Sequence, residues 1–454
     1  MFEKKVLVAG CGKSGISASA LLARNGEKVI LFDENESIDK TKILAHFDEI
    51  SGKENIELHI GKLTDEVIEQ CELMVISPGI PVDKEFALKV KNAGLNVWSE
   101  IELAYHYEKG TVAAITGTNG KTTTTTLVGE IIKAYNNKTI VVGNIGIPYT
   151  GLADKTETDS VTVAEISSFQ LETIIDFKPK VSAILNVTPD HLDRHYTFEN
   201  YAKCKQDICK NQTEAEYAVL NYDDPETVKL AEGINAKIIY FSRTTKLESG
   251  VYVDREDVLI KEEGMVKKVL SLKDIKLLGT HNVENVLAAV AVTYYMGVPI
   301  DIIEKVCTEF QGVEHRIEYV KTVNGVAYYN DSKGTNPDAA IKAIKAMTTT
   351  TFLIGGGYDK GASFDEWVEQ FPAKVKYLVL IGKTAPLIEL CAKQHGFYSI
   401  VTMDTLEEAV EFCYKNARPG DAVLLSPACA SWDMFKSYEQ RGDLFKEYVR
   451  NLEE

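Results

Sequence analysis

Between a β-branched run at 112–115 and a helical run over 121–135, the chain reads Thr116-Gly117-Thr118-Asn119-Gly120-Lys121-Thr122-Thr123. No other segment constrains the fold as strongly. Glycines, hydroxyls and one lysine between a strand and a helix have no packing role, so the turn must be shaped by its own backbone and must face a ligand. Its free N–H groups suit a phosphate, Lys121 would reach a β/γ-phosphate, and Thr122 would ligate Mg²⁺. The longer G-x-x-x-x-G-K-[ST] loop needs glycine where Ile115 stands, so this is the shorter G-x-x-G-K-T form. Such a loop belongs to a parallel α/β sheet.

A second glycine turn, Gly10-Cys11-Gly12-Lys13-Ser14-Gly15, follows a strand at 5–9, and Asp33 ends the next strand. That context permits a diphosphate to approach a helix N-terminus closely. The bland alternative is a tight βα turn with no ligand. The ligand need not be a dinucleotide, because any nucleotide diphosphate meets the same physics. A dehydrogenase needs only this loop and a motor or GTPase only the other. Both together point to a nucleotide-linked substrate and a separate triphosphate.

Strand-like runs at 5–9, 29–33, 73–77 and 96–98 alternate with helical runs at 17–25 and 85–93. The polar segment 99–110 separates this unit from the next. A helix over 282–296 closes at Gly297-Val298-Pro299, a further helix covers 300–310, and a third α/β unit begins past Gly312. The length of 454 residues suits three domains. We expect an α/β protein with an N-terminal Rossmann-like domain (1–99), a central P-loop ATPase-type domain (100–312) and a C-terminal Rossmann-like domain (313–454). A net charge of −17 excludes nucleic-acid binding through the overall field, so anions must be held by local groups. The 8 cysteines form no CxxC pair and read as reduced, buried thiols of a cytoplasmic protein. No signal-peptide pattern opens the chain, and no apolar stretch reaches the ~20 residues of a membrane span.

Further polar residues cluster at strand ends, where ligands of open α/β sheets bind. Glu165 in Glu165-Ile166-Ser167-Ser168-Phe169-Gln170 and His191 in Asn186-Val187-Thr188-Pro189-Asp190-His191 can converge on the phosphate loop as Mg²⁺ or Mn²⁺ ligands. His191 alone reads equally as a capping or packing histidine, and His195 lacks the context of a zinc pair. Asn282 and Asn285 share a helix face; they would read a base or hold a phosphate, unless Asn282 is simply an N-cap. Arg316, the loop Asp331-Ser332-Lys333-Gly334-Thr335-Asn336, the loop Gly355-Gly356-Gly357-Tyr358-Asp359-Lys360 and the loop Ser426-Pro427-Ala428-Cys429-Ala430-Ser431 would frame one crevice. There Lys333, Lys360 and Ser431 suit a small anionic substrate. Cys429 has no evident base partner and reads as a buried thiol.

Over nearly the whole chain these motifs, with Gly143-Asn144-Ile145-Gly146, Gly279-Thr280-His281-Asn282-Val283-Glu284-Asn285 and Glu439-Gln440-Arg441-Gly442, resemble the Mur ligases, ATP-dependent amide-bond ligases of peptidoglycan precursor synthesis. The loops at 331–336 and 425–435 resemble those of the member that adds D-glutamate. The resemblance implies UDP-N-acetylmuramoyl-L-alanine and D-glutamate as substrates, joined through an acyl phosphate, by a monomer with no nucleic-acid or membrane partner. Another Mur-type or a folylpolyglutamate-type ligase is the alternative. It further implies a UDP-substrate site at Gly10, Gly12, Ser14, Gly15, Asp33, Ser77, Gly79 and Asn144. ATP would meet Gly117, Thr118, Asn119, Gly120, Lys121, Thr122, Thr123, Asn282, Asn285, Arg316, Asp331 and Lys333. D-glutamate would meet Thr335, Lys360, Ser431 and Tyr438. Lys121, Lys205, His191 and Asn144 would be catalytic, and Thr122, Glu165, His191 and Lys205 would serve two Mg²⁺ sites. Lys205 would carry a carbamate, with Lys203 two residues away as the other candidate. Without the resemblance, Lys205 reads as a solvated lysine on an amphipathic helix.

Overall fold

The computed structural model describes residues 2–144, 146–358 and 361–453. The β-branched runs Lys5–Ala9, Val29–Asp33 and Cys71–Ile76 are buried almost throughout, as strands covered by helices on both faces must be. They lie in a five-stranded parallel sheet ordered Ile56–Ile60, Val29–Asp33, Lys5–Ala9, Cys71–Ile76, Asn96–Ser99. The strand Ile56–Ile60 escaped the sequence reading because it is an edge strand that carries Glu57 and His59 between its apolar residues. The first helix begins at Lys13, inside the glycine turn with Gly12 as its N-cap, four residues earlier than the apolar pattern indicates.

A nine-stranded sheet runs Met265–Ser271, Asp257–Glu262, Gly250–Asp254, Lys237–Ser242, Tyr217–Asn221, Val181–Ile184, Thr111–Thr116, Val161–Glu165, Thr139–Gly143. Its last three strands in sequence pair antiparallel and the rest pair parallel. The antiparallel extension turns at Arg255 and Glu263, both with positive φ, without the Asn-Gly signal that marks a tight hairpin in sequence. Thr111–Thr116 lies between Val181–Ile184 and Val161–Glu165, so the loops that follow these strands emerge side by side. The third sheet has six strands, ordered Glu318–Val323, Val326–Asn330, Ala422–Leu425, Thr351–Gly355, Val375–Leu380, Ile400–Thr402. Residues up to 275 and residues 283–308 form one compact unit that holds the first two sheets; residues 276–282 and 309–453 form a second. No described helix is long and apolar enough to cross a membrane.

The polar segment near residue 100 is a packed element. It forms the helix Glu100–Tyr107, in which Glu100, Ile101, Glu102, Leu103, Ala104 and Tyr107 are all buried. Ser99 caps it by accepting the N–H of Glu102 at 3.2 Å. Ile101, Leu103 and Ala104 share one core with Val6 and Leu21 of the first sheet layer and Val112 and Ala114 of the second. The carboxylates point inward because loop amides need acceptors there. Glu100 Oε1 accepts the N–H and hydroxyl of Thr150 at 2.6 and 2.9 Å. Glu102 accepts the N–H groups of Ile175, Asp176 and Phe177 at 2.8–3.1 Å and faces His106 at 3.2 Å. Charge alone reads as surface, whereas buried N–H donors make it interior.

Burial by itself would raise the Glu102 carboxyl, but His106 and the three N–H donors outweigh it and hold the group below its usual range. A carboxyl depressed on folding contributes stability above its unfolded value of about 4.3, and that contribution fades as pH falls through the folded value. Glu102→Gln is expected to cost about 2 kcal/mol at neutral pH, since the amide leaves a buried N–H without an acceptor. Urea unfolding at about pH 7 and about pH 4 checks this: the gap between parent and variant must narrow at the lower pH. An equal gap at both would remove the charge as its cause.

Candidate active site

The phosphate loop is shaped by two glycines. Gly117 has φ 154° and Gly120 has φ 85°, and a Cβ on Gly120 would stand 2.2 Å from Asn285 Oδ1. Asn285 is buried on the helix Thr280–Met296, and its Oδ1 also accepts the hydroxyl of Thr124 at 3.3 Å. The loop is braced from the neighbouring strand end by Asn186. Its Oδ1 accepts Asn119 N–H at 2.8 Å, its Nδ2 donates to Asn119 O at 3.1 Å, and its backbone O accepts Thr118 N–H at 2.9 Å. Lys121 opens the helix Lys121–Tyr135, with Thr122 half-buried and Thr123 buried beside it at a terminus rich in free N–H groups.

The lysines are the unusual feature. Lys121 Nζ donates to Gly117 O at 2.8 Å and to Thr118 O at 3.0 Å. Lys205 Nζ donates to the same Gly117 O at 2.8 Å and lies 4.6 Å over the Tyr201 ring. Lys205 is 1% exposed, so it is not the solvated lysine that amphipathicity alone allows. Burial, then the charge of Lys121, draws its ammonium down to about 7. Lys203, by contrast, is an exposed residue paired with Asp207 at 3.2 Å.

Glu165 ends its strand at 1% exposure. Its Oε1 accepts Asn144 Nδ2 at 2.8 Å, and its backbone O accepts Asn144 N–H at 2.8 Å. Its Oε2 is buried without a hydrogen-bond partner among the described residues. A carboxylate with one oxygen held and the other bare fits a cation ligand. His191 is exposed with φ 52°, its ring 4.9 Å from that of Phe169 and 6.4 Å from that of Tyr201. The Tyr201 hydroxyl lies 3.0 Å from Thr118 Oγ1, which ties His191's neighbour to the phosphate loop. His195 is buried against Ser168 and the Phe169 ring, and burial lowers its basicity, so it packs rather than ligates.

The N-terminal glycine turn divides its labour. A Cβ on Gly15 would meet Gly10 O at 1.8 Å and one on Gly10 would meet Ser77 Oγ at 2.7 Å, while Gly12 has open space above it. Two glycines therefore permit packing and the third permits approach. Asp33 accepts Cys11 N–H at 2.9 Å and Asn35 N–H at 3.0 Å, which holds the turn. Gly10, Gly12, Ser14, Asp33, Ser77 and Gly79 line a cavity of about 340 Å³. Lys84 and Phe86 line it too, and no motif marks them.

In the second unit, Asp331 is 5% exposed; Oδ2 accepts Ser426 Oγ at 2.7 Å and Oδ1 accepts Ile317 N–H at 3.3 Å. Burial pushes its carboxyl up to about 7. Arg316 is exposed beside it, between His315 and Ile317, both with positive φ. Lys333 lies 5.9 Å over the Tyr438 ring, Thr335 N–H donates to Lys333 O, and Ser431 is 2% exposed. Asn282 belongs to this unit and donates to Leu278 O at 2.7 Å. Cys429 is buried. Lys360 and Ile145 lie outside the described residues. Arg441, which is 0% exposed, ties these loops together. It donates to Ser332 Oγ at 2.9 Å, Ser332 O at 2.8 Å and Cys429 O at 3.2 Å. In the sequence Arg441 and Asn186 stand only as letters of motifs and nothing marks Tyr201, since a bracing side chain has no pattern of its own.

Family models match along the chain: the Mur ligase MurD-like N-terminal domain over 4–99, the Mur ligase middle domain over 115–293, and the Mur ligase glutamate ligase domain over 315–429. The chain is 54% identical to a UDP-N-acetylmuramoylalanine--D-glutamate ligase of Lachnospira eligens, over 99% of both chains. It is 47% identical to the enzyme of that name from Clostridioides difficile, again over 99% of both. Among solved structures it is similar to the UDP-N-acetylmuramate-alanine ligase of Thermotoga maritima, with TM-score 0.58, 18% identity and 99% of both chains covered. A structure of the UDP-N-acetylmuramoylalanyl-D-glutamyl-2,6-diaminopimelate--D-alanyl-D-alanyl ligase of Acinetobacter baumannii gives TM-score 0.58 at 16% identity, covering 99% of this chain and 94% of that one. Those two likenesses speak for the fold, and the full-length identities for the lineage: the chain belongs to the Mur ligase family.

Proposed function

We propose that the chain is an ATP-dependent ligase that joins D-glutamate to UDP-N-acetylmuramoyl-L-alanine, in cytoplasmic peptidoglycan precursor synthesis. Full-length identity to ligases of that name supports the reaction. The observation that carries the chemistry is the convergence of Lys121 and buried Lys205 on Gly117 O at the phosphate loop. The proposed division of labour gives residues 1–99 the UDP moiety, 100–312 the triphosphate and 313–454 the amino acid.

A carboxylate does not acylate an amine in neutral water, so the substrate carboxylate is first phosphorylated by ATP. Its oxygen attacks the γ-phosphorus, ADP leaves, and an acyl phosphate forms. The loop N–H groups and Lys121 stabilise charge that develops on the transferred group. One Mg²⁺ would be held by Thr122 at the phosphates and a second by Glu165 and His191, where they would neutralise phosphate charge; the bare Oε2 of Glu165 fits that role. Asn144 orients Glu165 and stands ready for the substrate's reacting end. The D-glutamate amine then attacks the acyl carbon and expels phosphate. Thr335, Ser431, Tyr438 and Lys360 are the proposed seats for that amino acid. Arg316, Asp331, Lys333, Asn282 and Asn285 are proposed to contact ATP.

Lys205 is proposed to act as a carbamate. An amine with its pKa drawn down to about 7 is substantially neutral at physiological pH. The lone pair of the neutral amine adds to CO₂, an N–C bond forms and one proton leaves to solvent, so the neutral side chain becomes an anion; from the ammonium, two protons leave in all. An anion there suits a second Mg²⁺ and the neighbouring Lys121 ammonium better than a second buried ammonium does.

ADP and phosphate release is expected only when both UDP-N-acetylmuramoyl-L-alanine and D-glutamate are present. Equal turnover with L-glutamate, D-alanine or meso-diaminopimelate in a coupled ATPase assay would overturn the assignment. Lys121→Ala is expected to lose turnover by ~10²-fold or more while equilibrium binding of the UDP substrate persists. Loss of that binding with turnover retained would reverse the division of labour. Lys205→Ala is expected to lose most turnover, again by ~10²-fold or more, and added acetate to restore part of it. Lys203→Ala should leave turnover within about twofold. Near-parental rates in Lys205→Ala, or the larger loss at Lys203, would remove the carbamate from this position.

A further inference from the structure

Away from the phosphate loop, the described residues contain three groupings of His, Cys and acidic side chains whose ligand atoms lie within 4.8 Å of one another. Two are filled already. Glu102, grouped with His106 and Asp176, commits both oxygens to backbone N–H groups. Glu314, His315 and Asp443 surround the Lys446 ammonium, which bonds Glu314 and lies 3.2 Å from Asp443. A cation already sits where a metal would.

The third grouping is built differently. Cys391 and His395 are four residues apart at the end of the helix Ala385–Gln394, with His395 as its C-cap residue, so both lie on one face. Asp365 meets them from the first turn of the helix Asp365–Val368. His395 Nε2 lies 2.9 Å and Cys391 Sγ 3.6 Å from one atom, Asp365 Oδ1. The other carboxylate oxygen accepts Ser363 Oγ at 2.5 Å, which fixes the carboxylate's rotation as an outer hydrogen bond does around a metal ligand. Tetrahedral ligands bonded at about 2.0–2.3 Å stand about 3.3–3.8 Å apart, so these atoms need only small shifts to share a centre. Lys393, on the same turn, is drawn to Glu389 at 2.7 Å. The other seven cysteines are buried, whereas Cys391 is partly open, and the side chains of His395 and Asp365 are 29% and 60% exposed, so an ion has a path in.

We propose that Asp365, Cys391 and His395 form a binding site for a borderline-soft divalent cation of the Zn²⁺ type, with water in the fourth position. Thiolate, imidazole and carboxylate together select such an ion over Mg²⁺, which prefers oxygen alone. On binding, the thiol proton leaves to solvent, Nε2 gives its lone pair and the imidazole proton stays on Nδ1. Two anionic ligands balance the cation's charge. The ion clips the end of one helix to the turn before another, over a core that contains Phe364, Trp367, Ile388 and Ala392.

The test is a Co²⁺ titration of the full-length chain, stripped with chelator and kept free of Mg²⁺, followed by displacement with Zn²⁺. One equivalent of Co²⁺ is expected to give a near-ultraviolet thiolate-to-cobalt charge-transfer band that Zn²⁺ abolishes. Zn²⁺ is also expected to protect Cys391 from alkylation, read by peptide mass spectrometry. Cys391→Ser should lose the band, and His395→Ala should weaken Co²⁺ binding by about tenfold or more. Unchanged circular dichroism and metal-free unfolding midpoints keep misfolding from passing as loss of a ligand. Oxygen-ligated Co²⁺ at Glu165 gives no thiolate band, so it cannot imitate the result. No band in the parent, a band that survives Cys391→Ser, or alkylation of Cys391 unaffected by Zn²⁺ would each overturn the site.

Discussion

Two parallel sheets can share one hydrophobic core only if the element between them is apolar on both sides and its polar groups are answered. The helix Glu100–Tyr107 meets that condition. Its aliphatic residues enter the core of both layers. Its two carboxylates take up loop N–H groups that no strand can reach. Thr150, held by Glu100, lies just beyond the strand that delivers Asn144. Phe177, held by Glu102, precedes the strand Val181–Ile184 that flanks the phosphate loop. The placement of the first unit's site therefore depends on buried charge–amide contacts remote from it.

At the site, the decisive geometry is one carbonyl, Gly117 O, with two lysine Nζ donors. Gly117 can present its oxygen in this way because its φ of 154° is open to glycine. Burial and the neighbouring Lys121 charge both disfavour the charged form of Lys205, so the two side chains do not stand there as two full cations. Lys205 and Lys203, two residues apart, stand in opposite surroundings. One faces inward among the loop carbonyl, an aromatic ring and a second lysine; the other points to solvent and an aspartate.

The second unit solves a related problem without an ion pair. The Arg441 guanidinium, at 0% exposure, bonds carbonyl and hydroxyl oxygens and so joins the loop at 332 to the loop at 429–430. Burial draws it down only to about 10, so it stays charged at neutral pH. A fixed guanidinium bonded to two strand-end loops holds them rigidly together.

Much was legible in the chain itself. Local rules decide a strand–glycine–helix turn, and both glycine turns, the parallel α/β grammar and the strand-end positions of Glu165, His191 and Asp331 follow from them. The resemblance carried by those motifs named the family. Other features had no local signature. The edge strand Ile56–Ile60 and the antiparallel hairpins over 250–271 alternate with polar residues or turn without a marked tripeptide. The segment at 100–107 reads in sequence as a polar separator because composition counts charges and cannot see which N–H groups await them. Which of Lys205 and Lys203 is buried, and the meeting of Asp365 with Cys391 and His395, emerged only on folding. Sequence determines what a residue can do; burial and the partners brought from distant segments decide which lysine loses its water and which thiol stands beside an imidazole and a carboxylate.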